Sequence, residues 1–429
     1  MLILLLIITV SCLLFSYFFT NNYISPPCIC CTIMSVAAFI GVLNVEYWGY
    51  DIHFITVIAI GTGLLMFLSG YLFGNKYLKV GYPIHTYDNK RFVLSYTTML
   101  IFIIAASWLV YEFYNEVNMN MLLLGIAVDD DAAMGKLHEL GRAEQQYSWY
   151  VKYPLAVVKS ITFVGIYCFF YNTIKFNFRI RDILFLVPIP YYFINSILRT
   201  ERTSIFLLII FSMMIYLLLN NENMKMKKLV FPAFLSILFI FIFGLFRAIK
   251  YDIYELQNTV DSICVYISGG IAALDKILNG DYGINSHVFG GMTFGWVYVW
   301  LSRIGLWNDE PTFSSYVPNS FVGIGDQFTT YGQGISTNVY TAFGGVYVDF
   351  GLAGILVIFL ILGLIYGGFY NYINTRNSGY RYIIYAYAMY PLCMINFDNV
   401  FVLEFINPAN WLSCIVGFFV YRFLYFRRK

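Results

Sequence analysis

Long apolar runs separated by short polar loops dominate this chain. A membrane-crossing helix needs about 20 mostly apolar residues. Segments 1–20, 27–43, 54–74, 92–113, 148–172, 182–198, 203–220, 229–248, 351–370, 379–396 and 409–426 meet that description. The pattern predicts an all-α polytopic integral membrane protein with about 11 transmembrane helices, within a range of roughly 10–13. Residues 338–350 read as an additional short or re-entrant segment. Residues 1–20 have no basic start and no small-residue cleavage site, so they read as a retained span rather than a signal peptide. Three regions follow: 1–248 with the first eight spans and a polar segment at 114–147, a long polar stretch at 249–337, and C-terminal spans over 338–429.

Charge orients the spans. The loops at 76–91, 173–181, 221–228 and 371–381, with the tail 427–429, hold Lys76, Lys79, Lys90, Arg91, Lys175, Arg179, Arg181, Lys225, Lys227, Lys228, Arg376, Arg381, Arg427, Arg428 and Lys429. Only Asp88, Asp182 and Glu222 accompany them. The other loops carry the acids, among them Glu46, Asp51 and Asp129-Asp130-Asp131. Basic loops stay cytoplasmic. The map therefore puts the C-terminus inside, the N-terminus outside, and 114–147, the 197–203 turn and 249–337 on the outer face.

Composition agrees and excludes other classes. The chain has 429 residues, 60% hydrophobic and only 12% charged, against about 25% charged in soluble domains. Its net charge of +2 gives no argument for nucleic acid. Of eight cysteines, Cys12, Cys168, Cys393 and Cys414 sit inside apolar runs, Cys28, Cys30 and Cys31 cluster at the mouth of a span, and Cys264 is alone in the long polar stretch. They lack the paired spacing of a zinc site and read as small buried hydrophobes, with no disulfide framework.

Arg199-Thr200-Glu201-Arg202 interrupts the apolar run 183–220. An arginine costs roughly 2.5–3.5 kcal/mol at the bilayer centre, so the cluster marks either a polar site or an exposed turn. Arg142, Arg247 and Arg303 also fall on or near the outer face. A guanidinium grips phosphate or carboxylate through two parallel bonds and keeps its charge. Gathered together, these arginines would hold a lipid phosphate or pyrophosphate; separately they fit headgroup contacts or an ion pair with Glu201.

The outer segments hold further candidates. Asp129–Asp131 can cap a helix whose next turns put His138 and Arg142 on one face. The long outer stretch, expected to be partly helical, contains an amphipathic stretch from Leu256 to Leu278. A glycine-rich stretch containing His287 follows, then the aromatic run Phe294–Trp300 with Trp296, then a Gly/Asn/Thr-rich stretch with Asp326 that ends at Asn338 and is followed by Tyr340. Flat rings beside amides and carboxylates match the apolar faces and polar edges of sugars. They match a membrane-interface aromatic belt as well. Glu201, His138 and His287 are the candidate proton acceptors. No P-loop or His-Glu-x-x-His motif occurs, and no metal is expected, with Asp129–Asp131 the one acidic cluster to watch.

Three stretches resemble the O-antigen polymerase family, the Wzy type of oligosaccharide repeat-unit polymerase. They are Ser25-Pro26-Pro27 with the glycine-rich span 58–74; Ser196 through Thr203; and Thr337-Asn338-Val339-Tyr340-Thr341 leading to Val348-Asp349-Phe350-Gly351-Leu352-Ala353-Gly354. The resemblance implies a glycosyltransferase with GT-C-like architecture in the bacterial cytoplasmic (inner) membrane. It implies undecaprenyl-pyrophosphate-linked oligosaccharide as donor and acceptor, membrane lipid as surroundings, and a chain-length regulator protein as a partner. It matches Arg142, Arg199 and Arg202 to the family's functional arginines. Glu201 and His287 are added as catalytic candidates, with Arg247, Arg303, Asp326, Trp296, Trp300, Asn338 and Tyr340 as substrate-binding candidates. An O-antigen ligase and a lipid-glycan flippase are the competing readings. Lys152 and Lys159, inside one span, favour the flippase; the lack of internal repeats weighs against it.

Overall fold

The computed structural model describes residues 1–78, 90–123, 148–198, 202–220, 256–280, 289–295, 297–298, 301, 304–306, 329–331, 335–337, 339–374, 379–397, 399–401, 405 and 408–427. The helices are α1 (Leu2–Thr20), α2 (Pro26–Trp48), α3 (Phe54–Tyr77), α4 (Tyr96–Leu123), α5 (Trp149–Phe176), α6 (Pro188–Leu198), α7 (Arg202–Asn220), α8 (Leu256–Leu278), α9 (Thr341–Asn374), α10 (Tyr380–Cys393) and α11 (Pro408–Phe426). The helical, polytopic class is thus present: eight of the described segments are long and apolar enough to cross a membrane. Ten of the expected spans fall on described helical segments; the one at 229–248 lies outside the described residues. Between α8 and α9, strands β1 (Thr329–Tyr331) and β2 (Ile335–Thr337) form a short antiparallel hairpin, a β element the all-helical expectation omitted.

Three boundaries differ from the apolar pattern, each for a local reason. Segment 182–198 is two pieces, a 3-10 helix at Ile180–Leu186 and then α6. Pro188 and Pro190 lack the N–H that a continuous helix needs, and Pro188 is well placed at the first position of the new one. α4 runs past the expected end at 113 to Leu123, because Phe113, Val117 and Met121 continue its buried stripe at helical spacing. α9 takes in residues 341–350 together with 351–370, and bends at Gly351, where φ is 64° and ψ is −161°. Only glycine adopts that geometry without strain.

The chain forms two compact units, each assembled from separated stretches. The first gathers α1–α3, α8, the hairpin and α9. Here α1 and α2 form an antiparallel pair, and α3 lies parallel to α9 with glycines in the contact: Gly63, Gly70 and Gly74 on α3, Gly363 and Gly367 on α9. Small residues at helical spacing let helix backbones meet closely, which substitutes for the hydrophobic drive that lipid cancels. Cys264 lies beside Trp48, Val265 and Ala272, and all eight cysteines are free thiols.

The second unit gathers α4–α7, most of α10, and α11, with α5 packed against several of them. At one end of α5 a buried clasp holds the chain. Arg91 donates to Asp182 and to the Phe176 and Asn177 carbonyls, while Asn172 bonds the Phe92 backbone and Asp182. The cation lies between two helix-end carbonyls and a carboxylate, so little of its charge is left uncompensated.

Candidate functional site

Most of the site residues expected from sequence lie outside the described residues: Arg142, Arg199, Glu201, Arg247, His287, Trp296, Trp300, Arg303, Asp326 and Asn338, and also His138 and Asp129–Asp131. Arg202 begins α7 and is described by its backbone only. Lys152 lies on α5, its side chain outside the described set. Tyr340 is described, half-buried, immediately before α9.

In the first unit, α8 carries Asp275 on its buried face beside Ala272, Ala273 and Leu274. Its carboxylate reaches the start of α3. Its Oδ1 accepts the His53 backbone N–H at 2.7 Å and the Thr56 hydroxyl at 2.5 Å. Its Oδ2 lies 2.8 Å from His53 Nδ1. Asp275 is buried, with 6% of its side chain exposed, whereas the His53 side chain is 55% exposed. A buried carboxylate thus holds the orientation of a ring that reaches solvent.

A second acid fastens the residues just before the aromatic run. Asp349, on the first leg of α9, accepts the backbone N–H groups of Met292 at 3.2 Å and Thr293 at 2.6 Å. Phe289 and Phe294 pack on Phe350, with ring centroids 5.0 and 6.1 Å away. Within the described residues, this run therefore anchors to the Val348–Gly354 motif. At the start of α9, Thr341 has a φ of 62° and is buried. Its N–H bonds the Phe397 carbonyl, and its hydroxyl accepts from Phe343. The turn holding Phe397 also brings Asn396 against α8, where it donates to the Ile267 carbonyl.

In the second unit, Lys159 has protein partners within the bundle. Its Nζ donates to Tyr387 Oη and to Asn410 Oδ1, each at 3.0 Å, and lies 5.0 Å from the Tyr387 ring centre. These contacts account for the intramembrane cation. Asn195, on α6 four residues before Arg199, is only 6% exposed, yet among the described residues neither of its amide atoms has a hydrogen-bond partner. Elsewhere in this unit, Leu94, Phe102, Ile161, Phe185 and Phe423 line an apolar cavity of about 360 Å³.

Sequence reasoning missed the His53–Asp275 pair. His53 is one of four histidines and sits just before a span, but nothing local ties it to a carboxylate 222 positions away. Asp275 had one signal: it is an acid on the apolar face of an amphipathic stretch, where an unpartnered charge would be costly.

Residues 145–399 match the family model described as "Putative O-antigen polymerase". An O-antigen polymerase of Shigella dysenteriae is 22% identical over 232 residues, which is 52% of this chain and 53% of the relative. The alignment thus spans about half the length of that curated relative. No solved structure matches. The matched region starts just before α5 and runs past α10. It takes in Asn195, the sequence cluster Arg199-Thr200-Glu201-Arg202, Asp275 and Asp349; His53 lies before it. It covers more than half of a chain whose helices have the length and apolarity of membrane spans, and on that ground the chain belongs to the O-antigen polymerase family.

Proposed function

We propose that this protein joins undecaprenyl-pyrophosphate-linked oligosaccharide repeat units into O-antigen or capsular polysaccharide at the outer face of the bacterial cytoplasmic membrane. The observation that carries this reading is the family match across 145–399, because it contains the arginine cluster between α6 and α7. Glycosyl transfer from a lipid pyrophosphate must stabilise the charge of the departing diphosphate. Arg199 and Arg202, with Arg142 and Arg247, supply fixed cationic donors for that charge, and no metal is needed in this scheme. Arg303, Asp326, Trp296, Trp300, Asn338 and Tyr340 are assigned to the sugars. A chain-length regulator would act as a partner protein.

Orientation has support from two helices far apart in sequence. α3 and α9 run parallel, and each ends among basic residues, with Lys76 in the last turn of α3 and Lys79 beyond it, and Arg376 after α9 and Arg381 at the start of α10. The positive-inside rule assigns both ends to the cytoplasm, with the C-terminus on the same side. The same assignment puts His53, at the start of α3, outside.

The test is glycan length in cells. Arg199→Ala and Arg202→Ala are each expected to abolish long chains while the protein remains inserted and folded; normal chain lengths in both would overturn the reading. A deletion strain separates the two transferases. Loss of a polymerase leaves single repeat units on the lipid core, whereas loss of a ligase leaves none.

A further inference from the structure

The apolar cavity of about 360 Å³ lies wholly within the second unit, among α4, α5, the 3-10 turn before α6, and α11. Its volume falls in the range of ligand pockets, about 300–1,000 Å³. Its walls accept hydrocarbon. Thr98 is the lining side chain with a hydroxyl, and that hydroxyl already shares a 2.7 Å hydrogen bond with Ser95. The Pro188 carbonyl receives the Thr162 hydroxyl at 3.3 Å. A Cβ on Gly165 would lie 2.3 Å from the Phe185 carbonyl oxygen, so the 3-10 turn seats directly on α5 beside the cavity. Cations flank the same residues. Arg427 follows the lining residue Phe423 by four positions, its guanidinium carbon 4.1 Å from the centre of that ring. The guanidinium carbon of Arg181 lies 5.7 Å from the ring centre of Tyr96, which stands between the lining residues Leu94 and Thr98. Both arginines are exposed, and neither has an acid partner among the described residues.

We infer that this cavity binds an anionic phospholipid of the cytoplasmic leaflet, with one acyl chain among α4, α5 and α11 and the phosphate held by Arg181 and Arg427. A guanidinium stacked on a ring leaves its edge N–H groups pointing outward for phosphate oxygens. The basic-loop assignment puts the start of α4 and the end of α11 at the cytoplasmic surface, where basic pockets between spans take anionic headgroups. An acyl chain also fills a dry void whose walls otherwise lack contact atoms. A polyprenyl carrier offers the same chemistry, an apolar chain ending in phosphate. Repeat units are joined at the opposite face in the polymerase reading, and on that reading rests the choice of phospholipid over carrier.

Native mass spectrometry of the full-length protein in mild detergent counts the lipid retained as phosphatidylglycerol, or phosphatidylcholine with identical chains, is titrated in. One phosphatidylglycerol is expected to be held about tenfold more tightly than phosphatidylcholine, the combined effect of two cations near a membrane surface. Arg181→Gln together with Arg427→Gln is expected to remove that preference. Arg422→Gln is expected to keep it, because this cation stacks instead on Phe418 and Phe426. Val420→Trp, which fills the cavity from α11, is expected to lose the retained lipid. Equal retention of the two lipids by the wild type overturns the site, as does an unchanged preference in the double-glutamine variant. Where Val420→Trp fails to fold, the two exposed arginines decide alone. Displacement of phosphatidylglycerol by an equal concentration of undecaprenyl phosphate overturns phospholipid as the occupant and leaves the polymerase reading standing, since glycan length in cells tests that reading separately.

Discussion

A Cβ placed on Gly70 of α3 would sit 2.1 Å from the carbonyl oxygen of Leu360 on α9. One turn further on, Gly74 stands against Leu364 at 2.2 Å, and from the other side Gly363 meets Phe67 at 2.2 Å and Gly367 meets Tyr71 at 2.3 Å. These neighbours are backbone atoms and cannot swing aside. Gly70→Ala and Gly363→Ala are each expected to destabilise the protein by about 1–3 kcal/mol, and Gly70→Leu to prevent folded protein from accumulating. Thermal unfolding in detergent measures the first and the yield of monodisperse protein the second. An unchanged melting temperature in the Gly70→Ala/Gly363→Ala pair would refute the close contact.

Arg91 and Asp182 form a buried pair with side chains 10% and 3% exposed. Removing one partner strands the other charge. Arg91→Ala is expected to cost about 3–5 kcal/mol. Replacing both, as Arg91→Met with Asp182→Leu, should recover part of that loss. The recovery stays partial because Asn172 and the Phe176 and Asn177 carbonyls lose bonds as well. A double variant less stable than Arg91→Ala would contradict this account.

Lys159 is predicted to be structural. Lys159→Met keeps the volume and takes a donor away from Tyr387 and Asn410. The expected cost is about 1–3 kcal/mol of stability, with glycan length unchanged. Shortened glycans from a stably inserted variant would instead give this cation a part in moving substrate.

Asn195 is predicted to trade stability for activity. A buried amide without hydrogen bonds carries an uncompensated desolvation cost. Asn195→Leu should therefore raise the unfolding temperature, by the equivalent of about 1–3 kcal/mol, and shorten the glycan if the amide serves the donor site next to Arg199. Full-length glycan from the stabilised variant would remove Asn195 from that site.

The spans were legible because lipid imposes one simple requirement, a long apolar run, on every crossing segment. The amphipathic stretch Leu256–Leu278 was equally plain, and α8 has those bounds. Pairings between distant segments were not legible. Nothing in the local pattern around Gly70 names Gly363 as its neighbour, and nothing around His53 names Asp275. The break before Pro188 was readable from proline chemistry but masked by unbroken apolarity. The arginines were proposed from chemistry and resemblance and lie mostly outside the described residues; the His53–Asp275 contact needed a fold that brings α8 onto α3.

The parallel pairing of α3 with α9 bears on how the protein is made. α3 enters the membrane early, and its glycine face has no helix to meet until Thr341–Asn374 follows much later. Bulky acyl chains fill a glycine groove poorly, so the nascent bundle stays loosely assembled through most of translation. Chains truncated before α9 should therefore be degraded by membrane quality control even though their earlier helices have already inserted.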